Sequence, residues 1–457
     1  MKKYWNVRKW DWIQPRLLQR QLTVLLFFSI LISPFTSPVI LFVIGVWTLV
    51  LYRNNWIQWS WPESFFLGMI LISFVSWVFH PSWYYLSPTS LIPKIPTGLI
   101  PIALFGLYYL LSLWVRHLNL EWKEIEKLYL TFWLGGMYVA FIVIVQQIDW
   151  HVLTKSWLRF ALDFYDEYRW QTVSVRSVGT AGNSNLTAAL LICFSLMSIY
   201  AQSVYQKRWQ KVFAYVMFVI FCIAIWCTGS RGAWAGVVIG LVVQVWMTGH
   251  RKWTLSFFFS LVALVLFFPE LIPRSETVWY TIKDRFEIWT TAIEIFRENW
   301  LLGTLPLYFS EVFEAKAGFA VYHAHNIFLG VAAEYGIFGL TLFVAFILLT
   351  IRRARRWRKV AVQKEEKRLA GMLLSQVVAL ISHGMYDYPI MSPQVGVVFM
   401  IGAIIIHTQY EKRYLRNQVV PDNKETKESM ESVSKRELDY RNVSTVFLSI
   451  RNYLKNL

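Results

Sequence analysis

Of the chain's 457 residues, 56% are hydrophobic and only 16% charged, and 24 Trp, 23 Tyr and 33 Phe are among them. A soluble domain carries about 25% charged residues and far fewer tryptophans, so a water-soluble enzyme is excluded and a membrane-embedded chain is indicated. The net charge of +17 then reads as topology information rather than nucleic-acid binding, because basic residues in membrane chains gather on one side.

In chain order, residues 1–21 are a basic segment, and no small-residue cleavage site follows the apolar run from Leu22 to Ile32. That pattern predicts a retained first helix, not a signal peptide. Apolar runs near the length needed to cross a bilayer follow at 22–33, 38–52, 63–79, 97–115, 128–147, 184–205, 211–227, 232–248, 253–268, 326–351, 369–384 and 390–408. The predicted fold is an all-α polytopic integral membrane protein with about twelve spans. Pro34 and Pro38 leave open whether 22–52 is one broken helix or two, and that choice would change the side of every later loop.

With two spans there, one set of loops holds Arg53, Arg116, Lys123, Lys127, Lys207, Arg208, Lys211, Arg251, Lys252 and the basic run from Arg352 to Arg368, while most short loops on the other face are nearly bare. Both termini are therefore expected in the cytoplasm. A medium segment, 148–182, and a large one, 269–325, fall outside. Within the second, Phe286, Trp289, Ile293, Phe296 and Trp300 recur at spacings of three and four, predicting an amphipathic helix with an aromatic stripe against lipid or against the bundle. Cys193, Cys222 and Cys227 lie in apolar runs and form no ligand pattern. Residues 409–457 are a polar tail of mixed charge with no assigned chemistry.

The polar motifs collect on the outer side. Asn183 and Asn185 open the sixth span, Ser230 and Arg231 the eighth, and His323, His325 and Asn326 the tenth; His383 and Asp387 lie between the last two. Helix capping accounts for Asn183, Ser230 and Asn326. It does not account for Arg231, which adds positive charge to the positive end of a helix and calls for an anion. Arg285 is a second outer cation, either paired with Asp284 or Glu287 or part of an anion site. His323 and His325, two apart, share a face only if the segment is extended. A helix N-terminus disfavours imidazolium and suits a general base, with capping as the plainer alternative, and no Cys or carboxylate cluster nearby in sequence supports zinc.

The succession GTAGNSNLTAALL, TGSRGAWAG, DRFEIWTTA and HAHNIFLGVAAEYGIFGL resembles the O-antigen ligase family of bacterial membrane proteins, over roughly 179–408. The N-terminal spans, 22–178, add only a hydropathy match. The resemblance implies a metal-independent, cofactor-free glycosyltransferase in the bacterial cytoplasmic membrane with an external active site. Its donor would be an undecaprenyl diphosphate-linked glycan and its acceptor a hydroxyl on a glycan, lipid or protein. On the same resemblance, Arg231 and Arg285 would hold the diphosphate and His325 would be the base with His323 its helper. Asn183, Asn185, Ser230, Asn326, Glu334, His383 and Asp387 would bind substrate or support the site. The rival from another class is a lipid-linked glycan flippase, and within the class a protein O-oligosaccharyltransferase. The near absence of charge at the middle of the spans favours the interfacial enzyme over the flippase.

Overall fold

A computed structural model describes residues 15–52, 60–85, 94–147, 165, 176–249, 267 and 275–419. The predicted span 253–268, apart from Phe267, lies outside the described residues, as does most of the segment 148–182. Thirteen helices are present among those described: α1 (Pro15–Ile32), α2 (Thr36–Leu51), α3 (Trp61–Phe79), α4 (Leu99–Leu118), α5 (Trp122–Val145), α6 (Ser184–Val204), α7 (Arg208–Thr228), α8 (Arg231–Thr248), α9 (Val278–Glu298), α10 (Pro306–Ala317), α11 (Ile327–Val360), α12 (Lys364–Gly384) and α13 (Pro393–Val419).

Eight of them, α3 to α8, α11 and α13, are long and apolar enough to cross a membrane, and the protein is a multi-pass membrane protein. Three more predicted spans fall on α1, which opens on Arg16 and Arg20, on the 16-residue α2, and on α12, whose first turns run from Lys364 through Arg368. The doubt at Pro34 resolves into two packed helices. The chain turns between Ile32 and Thr36, and the Thr36 hydroxyl donates to the carbonyls of Ser29 (2.6 Å) and Ser33 (2.9 Å), partners that a bend exposes.

One short antiparallel pair, β1 (Trp83–Tyr85) with β2 (Lys94–Pro96), stands where only a loop was expected. The chain divides into a unit through Tyr410 and a second from Glu411 onward.

Two features shape the site. The amphipathic helix forms as α9; the face it buries is Ile288, Thr291, Ala292 and Ile295, Trp289 packs against it, and Phe286 and Trp300 are exposed. That face packs with Phe309 and Phe313 of α10, Ala324 and Ala333 into a small core separate from the main one.

The run 326–351 was expected as one continuous span; instead α11 breaks at Gly336, whose φ of 64° and ψ of −165° are non-helical. The backbone groups released there are satisfied by the segment after α9. Ile337 N–H donates to Trp300 (2.8 Å), Thr304 N–H to Ala333 (2.9 Å) and Leu305 N–H to Glu334 (2.8 Å). In a bilayer interior an unpaired peptide group costs several kcal/mol, so this docking is what permits the break. The first part of α11, which follows the histidines, is thereby tied to α9.

Candidate functional site

Asn326 is the N-cap of α11: its Oδ1 accepts from the N–H groups of Phe328 (3.0 Å) and Leu329 (3.1 Å). Its Nδ2 donates to the Met385 carbonyl at 3.2 Å, stapling the start of α11 to the turn after α12. Just before the cap, His325 has a left-handed backbone, φ 48°. Such a conformation costs a non-glycine residue energy and is kept only where the surroundings enforce it. Here the His325 carbonyl receives Arg285 Nη1 (3.3 Å) and Trp289 Nε1 (3.4 Å), both from α9. Arg285 Nη1 also donates to the Tyr386 carbonyl.

This turn achieves what an extended segment was expected to do. His323 Nε2 and His325 Nδ1 both lie 3.1 Å from the same oxygen, Oδ1 of Asp387, with their rings 4.3 Å apart. Tyr388 N–H donates to that oxygen as well, at 2.9 Å. Asp387 is only 4% exposed. Burial alone would raise its pKa, but the hydrogen bond from His325 and the surrounding imidazoles outweigh it and hold the carboxyl well below the usual range.

His323 moves the other way. Burial, with His325 and Arg285 adding to it against the pull of Asp387, lowers it to about 4, so it is neutral near pH 7. The folded protein keeps His323 neutral while the unfolded chain takes up a proton near pH 6.5, so stability is lost as pH falls from there toward the folded pKa. His323 contributes ~2 kcal/mol less stability at about pH 5 than at about pH 7.5, and thermal or denaturant unfolding of His323→Gln is expected to show a correspondingly smaller loss over that range.

Three donor atoms from His323, His325 and Asp387 lie within 4.8 Å of one another, a set that could reach a divalent ion. A ligating imidazole ordinarily donates its second N–H to a partner. The Nδ1 of His323 is buried without one. Hydrogen bonding of both rings to one carboxylate oxygen accounts for the closeness of the three atoms without an ion.

The second group of residues lies beside the first. Arg231, the first residue of α8, donates from Nη2 to Thr281 Oγ1 at 2.7 Å. Thr281 and Arg285 are four apart on α9, roughly 6 Å along its axis and on one face. Arg231 therefore contacts α9 one turn before the position of Arg285. Arg285 makes no ion pair with Asp284 or Glu287 among the described residues, so the surface-pair reading does not hold.

His383, 1% exposed at the end of α12, approaches the Asn185 carbonyl through Nε2 (3.2 Å), which links α12 to the start of α6. Asn183 caps α6, accepting from Asn185 and Leu186 N–H. Ser230 occupies the N-cap position of α8 without a side-chain capping bond. Glu334, fully buried beside the break in α11, accepts from Tyr388 OH at 3.2 Å.

Sequence reading passed over Arg176, Thr281 and Tyr388, and took Trp289 only as part of the aromatic stripe. Arg176 donates to the Thr228 carbonyl at the end of α7 and to Asn185 Oδ1, both at 2.8 Å. An arginine eight residues before a capped helix was a readable signal; the contacts of the other three depend on chain folding alone.

Residues 216–344 match a family described as O-antigen ligase. The match covers well under half of the chain and takes in Arg231, Arg285, His323, His325, Asn326 and Glu334 while leaving out His383 and Asp387. No curated protein matches the chain.

Proposed function

From the premise that this membrane protein is of the O-antigen ligase family, we propose that it transfers a glycan from an undecaprenyl diphosphate-linked donor to an acceptor hydroxyl, at the external face of the bacterial cytoplasmic membrane. The observation that carries this reading is how Asp387 engages the two histidines. Its carboxylate holds His325 through Nδ1, which leaves His325 Nε2 as the basic atom on a partly exposed ring. His323 is held through Nε2, and its remaining nitrogen is buried. His325 is thus the base and His323 a positioning residue.

In the proposed reaction, His325 Nε2 takes the proton of the acceptor hydroxyl as its oxygen attacks the anomeric carbon. The bond from that carbon to the diphosphate oxygen breaks, and the lipid diphosphate leaves with the bonding pair. Arg231 and Arg285 stabilise the charge that develops, each through a planar fork suited to phosphate oxygens. Single displacement inverts the anomeric centre. The positive-inside pattern supports the external face and cytoplasmic termini.

The test is transfer by purified protein in lipid, offered the lipid-linked oligosaccharide and candidate glycan, lipid and protein acceptors, with EDTA present. Wild type should transfer without metal, and Arg231→Ala should lose roughly a hundredfold or more, the scale of one removed oxyanion donor. Movement of labelled lipid-linked glycan across liposomes with no product formed would replace this reading with the flippase.

A further inference from the structure

We propose that Tyr388 is a positioning residue, clamped by α11 and His323, that holds Asp387 in register with His325. The inference rests on the reading of His325 as the base. Four contacts converge on Tyr388, a side chain that is 2% exposed. Its backbone N–H donates to Asp387 Oδ1, the oxygen the two histidines share. Its hydroxyl donates to Glu334 Oε2 at 3.2 Å. One face of its ring lies nearly parallel to His323, 16° between planes and 6.3 Å between centroids. The ring also presses on Gly330, where an added Cβ would come within 2.5 Å of Tyr388 Cε1.

Gly330 and Glu334 are four apart, so they sit one above the other on a single face of α11. Tyr388 lies along that face, its ring on the glycine and its hydroxyl on the acid one turn later. The glycine provides the slot and the acid fixes how far the ring enters it. A tyrosine held at both ends fixes the peptide that joins it to Asp387. A buried acid in an apolar helix is costly to retain without a role, and this contact supplies one for Glu334 that leaves it outside the chemistry.

Tyr388→Phe and Glu334→Leu both remove the anchor, whereas Glu334→Gln retains an acceptor. The expected result is a loss in kcat of roughly a hundredfold for the first two, the scale of a misplacement of about 1 Å. The KM for the lipid-linked donor should stay within about twofold, and Glu334→Gln should restore most of kcat. The second readout is independent of turnover: NMR of isotope-labelled histidine in lipid nanodiscs, read at the proton on His325 Nδ1, whose nitrogen lies 3.1 Å from Asp387 Oδ1. Slackening Asp387 weakens that hydrogen bond, so the Nδ1 proton should move upfield and exchange faster with water in Tyr388→Phe. An unmoved Nδ1 proton, even in variants of lowered stability, would make the contact structural only and overturn the proposal. Absence of transfer by wild type would count against the function, while the Nδ1 proton would still decide the clamp.

Discussion

His325→Ala is expected to reduce glycan transfer by roughly two to four orders of magnitude while donor binding persists, because a positioned general base supplies about that factor. The side chain is partly exposed and lies outside the main hydrophobic core, so folding should survive its truncation. Its backbone is the part that Arg285 and Trp289 grip, and those bonds go to the carbonyl, which alanine keeps. Binding of a labelled lipid diphosphate should therefore stay within a fewfold of wild type as kcat collapses. His323→Gln should cost far less, since its contacts with Asp387 and with the Tyr388 ring position the base and do not take the proton. If His323→Gln removes activity and His325→Ala leaves it, the assignment of the base is reversed. The same comparison separates catalysis from display of the turn, because loss of donor binding in His325→Ala would mean that the left-handed turn itself, not the imidazole, had been disturbed.

Much of the membrane-spanning frame was legible because length and apolarity are local properties. α3, α4 and α6 to α8 fall within a few residues of the predicted runs, whereas α5 begins at Trp122, ahead of the predicted start at 128. The residues of the candidate site were legible as a list, since Arg231, Arg285, His323, His325 and Asp387 stand out in the sequence. Their relation was not. Asp387 is 62 residues from His325, and no spacing rule predicts that one carboxylate oxygen serves two imidazoles. The left-handed backbone that makes this work is enforced by donors from α9, a tertiary effect that leaves no local trace. The break in α11 was hidden for a related reason. EYGIFGL reads as uninterrupted span because a glycine within a membrane helix is ordinary, and what turns this one into a corner is a partner segment 30-odd positions earlier in the chain.

That corner gives the second large effect. Gly336→Ala is expected to unfold the connection between α9 and α11. At φ 64° and ψ −165° an L side chain is strained. The added Cβ would also come within 2.3 Å of the Leu301 carbonyl oxygen and 2.4 Å of its carbon, which are backbone atoms and cannot swing aside. To accept the methyl, segment 300–305 must withdraw, breaking the bonds from Ile337 to Trp300, from Thr304 to Ala333 and from Leu305 to Glu334. Strain plus three buried peptide bonds amounts to roughly 3 kcal/mol or more. The loss falls where α9 carries Arg285 to the His325 carbonyl, so activity should vanish together with protection of segment 300–305 from proteolysis. Gly106→Ala is the matched control: it lies within α4 with open space around the added methyl, and should leave melting unchanged or slightly raised. Gly336→Ala melting with wild type and keeping segment 300–305 protected would mean that α11 can straighten at no cost. The site would then not depend on the break, and Arg285 would have to be held to the His325 turn by its own hydrogen bonds alone.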